Sequence, residues 1–140
     1  MKLREAIFSD WKILLEWRND PLTRKNSFTQ EVVQEEKHKL WFKTVLLSEE
    51  KKIFILENES CEPLGTIRSD KIDSESYLLS WTISPHFRKK GYGNLILNLF
   101  LQNRRGIFTA EIKPENIYSI KMALKNGFKK INKITYRKKL

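Results

Sequence analysis

The 140-residue chain fits one domain with a single real core and leaves no room for two, so residues 1–140 are read as one unit. A 40% apolar composition with four tryptophans excludes a disordered chain, and no apolar run reaches the roughly 20 residues that span a bilayer. The net charge of +10 points to a polyanionic partner (nucleic acid, an anionic membrane surface or a phosphorylated cofactor) unless the lysines serve only solubility. The start, Met1-Lys2-Leu3-Arg4-Glu5, lacks the apolar segment of a signal peptide. Cys61 is alone, so the expected home is a reducing cytoplasm. No metal is expected either, because Cys61, His38 and His86 have no ligand spacing.

In chain order, Lys2 to Ile7 reads as a first strand. Ser9 caps a helix through about Trp17, and Asp20-Pro21 ends it. A polar loop over Leu22 to Gln30 leads to a second helix near Val33 to Leu47, with Leu40, Trp41, Thr44 and Val45 on one face. Three strands follow, Lys52 to Glu57, Leu64 to Asp70 and Tyr77 to Ile83, antiparallel by their short connections. Beyond Pro85 a basic, glycine-containing turn opens a helix from about Gly91 to Asn103. A strand over Ile107 to Lys113, a helix over Asn116 to Asn126 closed by Gly127, and one or two strands in Phe128 to Lys138 complete the pattern. The order is a β-meander followed by βαβα.

The chemistry concentrates in Ser80-Trp81-Thr82-Ile83-Ser84-Pro85-His86-Phe87-Arg88-Lys89-Lys90-Gly91-Tyr92-Gly93-Asn94. A strand runs into a tight turn whose glycines aim backbone N–H groups at one spot, and the next helix adds its unpaired amides. Such a turn binds phosphate, and Arg88, Lys89 and Lys90 add full charges. The alternative is a purely structural turn flanked by solvated lysines. A P-loop is excluded because no Gly-Lys-Ser/Thr is present. A dinucleotide fingerprint fits poorly, although Glu111 lies near the ribose-binding distance. Ile96 stands at its third glycine, and the basic residues before Gly91 are foreign to it.

The segment resembles motif A of the GNAT superfamily of N-acetyltransferases, Arg/Gln-x-x-Gly-x-Gly/Ala, through Arg88, Gly91 and Gly93, with Pro85 after the fourth strand. The second family motif matches at Glu111-Ile112-Lys113-Pro114-Glu115-Asn116, Ser119 and Gly127-Phe128. This resemblance implies an α/β (α+β) three-layer fold: a mixed central sheet of six to seven strands with helices on both faces. It implies acetyl-CoA as co-substrate, the amides of Lys89, Lys90, Gly91, Tyr92, Gly93 and Asn94 on its pyrophosphate, and the Trp81-Thr82-Ile83 strand along its pantetheine arm. Asn116 and Ser119 would contact it from the other side. The oxyanion donor would be a backbone N–H near Thr82 or Ile83, in a cleft between splayed strands. Glu111 is the first candidate for the base, directly or through water; the alternative is a partner for a surface lysine. Many relatives have a tyrosine four residues before Gly-Phe as general acid, but here that position is Ala123. Tyr118 and His86 are the nearby alternatives.

The N-terminal Trp17-Arg18-Asn19 with Arg24, and later His38 and Trp41-Phe42, resembles a pattern found in nucleotide-aminosugar N-acetyltransferases of bacterial surface-glycan pathways and in enzymes acetylating protein N-termini. Arg18, Asn19 and Arg24 are therefore candidates for holding a sugar or its diphosphate; otherwise Arg18 and Asn19 cap the first helix and anchor its loop. The expected acceptor is an amine on a UDP- or similar nucleotide-linked sugar, with protein N-termini or ribosomal proteins as the alternative. A non-catalytic module binding coenzyme A or nucleic acid is a second alternative, although no specific nucleic-acid motif appears. Homodimers are frequent among relatives, so a homodimer is also among the expectations.

Overall fold

A computed structural model describes residues 1–140. Strand β1 (Lys2–Glu5) leads through a 3-10 turn (Phe8–Asp10) into α1 (Trp11–Asn19), a short α2 (Pro21–Lys25) and α3 (Glu35–Leu47). Strands β2 (Lys51–Glu57), β3 (Pro63–Lys71) and β4 (Ser76–Ile83) form the meander. After a second 3-10 turn (Pro85–Phe87) come α4 (Tyr92–Leu101), β5 (Ile107–Glu111), α5 (Ile117–Lys125), β6 (Lys129–Lys130) and β7 (Thr135–Lys139). They form one mixed seven-stranded sheet in the order β1-β2-β3-β4-β5-β7-β6. Only β4 and β5 run parallel, and the connection between them crosses through α4. The expected sheet, with helices on both faces, is the one observed.

Alternation in β2 explains the layers. Ile53 and Ile55 join Leu14, Trp17, Phe42 and Val45 in a core beneath α1 and α3. Leu56, with Leu64, Ile67 and Leu79, packs on the opposite face against Ile96, Leu97 and Phe100 of α4. Each such buried aliphatic or aromatic side chain contributes about 1.5–3 kcal/mol. No helix is long and apolar enough to cross a membrane.

Several boundaries differ from expectation. Ser9 lies inside the 3-10 turn and does not cap α1, which begins at Trp11. Asp10 turns instead to Arg4, accepting Nη1 and Nη2 at 2.8 and 2.9 Å, while Arg4 Nε reaches the buried Glu57 at 2.9 Å. The loop expected from Leu22 contains α2, because Asp-Pro stops one helix and starts another. Asp20 caps it, accepting from the Thr23 amide at 3.1 Å, and Pro21 fills the first helical position. Helix α3 starts at Glu35 rather than Val33, whose amide and carbonyl are both taken by the Asn19 side chain, at 2.8 and 2.9 Å.

Candidate active site

Strands β4 and β5 pair from Ser76↔Ile107 to Leu79↔Ala110 and then part. Pairing on the β7 side runs further, through Glu111↔Thr135 and the Ile112 amide, which donates to the Ile134 carbonyl at 2.8 Å. Ser80 to Ile83 therefore have β3 on one side and a gap on the other. The Ser84 amide donates to Leu64 of β3 at 2.9 Å. Alternation then turns the N–H and C=O groups of Trp81 and Ile83 into the gap and those of Thr82 onto β3. Of the two amides expected for the oxyanion, that of Thr82 is spent on the ladder, and the gap receives the Ile83 and Trp81 amides. The Trp81 indole N–H is buried and unpartnered. Behind this stretch Gly65 has no substitute, since a Cβ there would lie 2.8 Å from both the Thr82 carbonyl and Ile83 Cδ1.

Beyond β4 the backbone takes two left-handed steps, at Lys89 (φ +63°) and Gly91 (φ +84°). None of the amides from Arg88 to Asn94 has a partner within the protein, whereas those of Phe87 and Leu95, on either side, are bonded. A run of free N–H groups at the mouth of a ten-residue helix is the donor set that a diphosphate requires, and open space surrounds Gly91. The loop therefore fits coenzyme A. Gly93 is needed for a different reason: a Cβ would press on Tyr118 Cε1 at 3.2 Å and Met122 Cγ at 3.3 Å of α5. Lys89 and Lys90 are exposed, free to lend charge. Arg88 is not, because its Nη2 is bound by Asp20 Oδ2 and Thr23 Oγ1. Asn94 Oδ1 accepts from Asn126 Nδ2 at 2.9 Å, which leaves its backbone amide and its side-chain Nδ2 for a ligand.

The gap opens into a cleft of about 960 Å³ between the α1–α3 segment and strands β3 to β5. Glu111, Asn116 and Ser119 stand on one wall. Glu111 is exposed and its carboxylate has no partner; Asn116 caps α5 by accepting the Ser119 amide at 3.3 Å, and the Ser119 hydroxyl is free. On the opposite wall the predicted acceptor residues separate. Arg18 reaches the cleft while donating to the Thr29 carbonyl at 2.7 Å, and burial, with Arg24 nearby, lowers its pKa from the usual value. Asn19 and Arg24 do not line it. Asn19 holds Val33, and Arg24 Nε donates to the Gln30 carbonyl at 3.0 Å. Through these bonds both residues anchor the loop.

Other residues take their place. Arg68 and Asp70, one residue apart on one face of β3, form a two-pronged pair at 2.9 and 2.8 Å, with the Arg68 guanidinium 5.1 Å from the Trp41 ring centre. The sequence signal was the polar alternation Thr66, Arg68, Asp70, which also describes an ordinary solvent-facing strand. His38 is buried in the same wall, stacked on Phe42, with Nε2 2.9 Å from the Trp11 carbonyl. A carbonyl only accepts, so Nε2 carries the proton, and burial, partly offset by that bond, lowers the His38 pKa. His86 lies outside the cleft, Tyr118 packs over Gly93, and Ala123 is wholly buried, so no side chain occupies the general-acid position of relatives. No group of three His, Cys, Asp or Glu side chains lies together as a metal site.

Comparison with known proteins agrees with this fold. Residues 1–129 match the model of the acetyltransferase (GNAT) domain. No curated protein matches. Among solved structures, a domain from Methanocaldococcus jannaschii superposes with a TM-score of 0.84 at 24% identity, covering 99% of this chain and 97% of that one. A spermidine N-acetyltransferase from Vibrio cholerae, in complex with CoA and spermine, does so at 0.84 and 13% identity, covering 97% and 92%. A candidate phosphinothricin N-acetyltransferase gives 0.84 at 20% identity, covering 99% and 98%. At such identities the structures establish the shared fold. The domain match reaches from β1 to the start of β6, and with the free amides at the mouth of α4 it shows that the chain belongs to the GNAT family, as an acetyl-CoA-dependent N-acetyltransferase.

Proposed function

We propose that the acceptor is the amino group of an anionic, nucleotide-linked sugar. The observation that supports this reading is the charge balance of the cleft. Arg18, Lys37 and Arg68 line it, against two acids, Asp70 and Glu111, and Asp70 is already paired with Arg68. A polyamine needs several unpaired carboxylates; this cleft offers one. An anion meets two cations free of acidic partners and the guanidinium edge of Arg68, while Trp41 and Phe28 provide aromatic surface for a base or sugar ring.

Acetyl-coenzyme A supplies the acyl group as a thioester. The amides of Lys89 to Asn94 hold its diphosphate, and the strand edge at Trp81 and Ile83 aligns its arm. The Ile83 N–H is the donor for the carbonyl oxygen on which negative charge builds. An amine attacks only when neutral, and the unpartnered Glu111 carboxylate takes its proton, directly or through one water. With Ala123 where relatives carry a tyrosine, the thiolate is protonated by water or by the ammonium formed in the reaction.

The test offers acetyl-CoA with UDP-linked amino sugars, spermidine, free amino acids or basic peptides, and follows thiol release. Turnover is expected with the amino-sugar nucleotides, and Arg68→Ala should raise the KM for them about tenfold. Turnover confined to polyamines or peptides would overturn this reading of the acceptor.

A further inference from the structure

Helix α2 is held at both ends. At its start the Asp20 carboxylate accepts from the Thr23 amide at 3.1 Å and the Thr23 hydroxyl at 3.3 Å, and it binds Arg88 Nη2 on the same oxygen. Arg88 also donates to Thr23 Oγ1 at 3.1 Å. At the other end Lys113, beyond β5, donates through Nζ to the Lys25 carbonyl at 3.1 Å. The five-residue helix is thus tied to the cofactor loop on one side and to the exit of β5 on the other. Thr23, within it, lines the acceptor cleft.

Arg88 stands immediately before the left-handed Lys89, where the run of free amides begins. Its guanidinium is one-quarter exposed, and the Asp20 side chain is more buried still, at 16%. Burial pushes the Asp20 carboxyl up, yet the bonds from Arg88 and the Thr23 amide outweigh it and hold the acid ionised.

We propose that Asp20 is a positioning residue for the cofactor: by gripping Arg88 it fixes the direction in which the loop amides converge, and Arg88 shapes the loop without touching coenzyme A. The inference rests on the assignment of that loop to the coenzyme. It also gives the two walls of the cleft a common anchor, since the carboxylate that caps α2 in the acceptor wall sets the cofactor loop.

Calorimetric titration with coenzyme A tests this in four proteins: wild type, Asp20→Asn, Arg88→Ala and the double variant. Asparagine keeps a side-chain oxygen for the Thr23 amide, so the cap survives while the ion pair is lost. Each single change is expected to weaken binding about tenfold, and the double variant no more than either, because both remove one coupling. Arg88→Lys should restore most of the affinity with Asp20 present and none with Asp20→Asn. Wild-type affinity in Asp20→Asn, or losses that multiply in the double variant, would overturn the inference by assigning Arg88 a direct contact. A wild type that takes up no coenzyme A would remove the loop assignment itself, a result distinguishable from either. Thermal unfolding of each variant reports the fold separately.

Discussion

On the cofactor side of the cleft the functional groups are backbone amides, consecutive in sequence from Arg88 to Asn94; on the acceptor side they are side chains gathered from α1, α3 and β3. The first arrangement needs only a turn of fixed shape, two glycines and a helix start, and tolerates almost any side chain between them. The second depends on which side chains are spent holding the fold and which remain free. Asn19 and Arg24 look like ligand residues and bond within their own loop, whereas Arg68 and Asp70 look like strand surface and face the cleft. Arg88 crosses between the two regions, a motif residue whose charge is used by the acceptor wall.

Each of these differences can be tested, beginning with the largest effect. Gly93→Val forces a side chain into Tyr118 and Met122, and the overpacking of α4 on α5 should weaken coenzyme A binding by about a hundredfold, equivalent to roughly 3 kcal/mol. Unchanged binding in a calorimeter would show that the spacing of these helices does not shape the loop. Glu111→Gln should lower kcat by about 10²-fold with the coenzyme Kd unmoved, placing Glu111 on the acceptor's proton and away from the cofactor. A parallel loss of coenzyme affinity would count against that role. Asn19→Ala removes both bonds to Val33 and should cost about 2 kcal/mol of stability while leaving coenzyme A binding intact, read by denaturant unfolding beside calorimetry.

The smallest expected effect concerns pH. Burial, partly offset by the bond to the Trp11 carbonyl, sets the His38 pKa below its usual 6.5. The neutral ring therefore contributes stability that is fully present above about pH 6.5 and lost as the pH falls through the lowered folded-state value. Tm should drop from about pH 7 to about pH 5, and by less in His38→Gln, whose amide nitrogen still reaches the Trp11 carbonyl. Equal slopes in the two proteins would show that other groups carry the dependence.

Much of the architecture was legible because it is periodic. The apolar run Ile53-Phe54-Ile55-Leu56, the apolar α4 and the Gly127 cap (φ +88°) all act over a few neighbouring residues. Misreadings arose where one residue type serves two ends. Asp20-Pro21 stops α1 and starts α2, and Ser9, a good cap by type, lost the role when the chain entered a 3-10 turn first. The choice between the Thr82 and Ile83 amides lay beyond the sequence for a simpler reason: strand polarity towards one neighbour or the other is set by the register with β3, which no local pattern encodes.

The amino-acid order alone determined that a basic, glycine-containing turn lies between a strand and a helix, since glycine spacing and helix-end amides are properties of adjacent residues. Which charges surround that turn, and which polar groups face the substrate, was decided only when distant segments met. Asp20 and Arg88 lie 68 positions apart, and β4 parts from β5 after Leu79↔Ala110 while β5 goes on pairing with β7 through Glu111↔Thr135. Such choices depend on competition among partners in the folded chain, where each donor has one best acceptor and proximity in sequence gives no advantage.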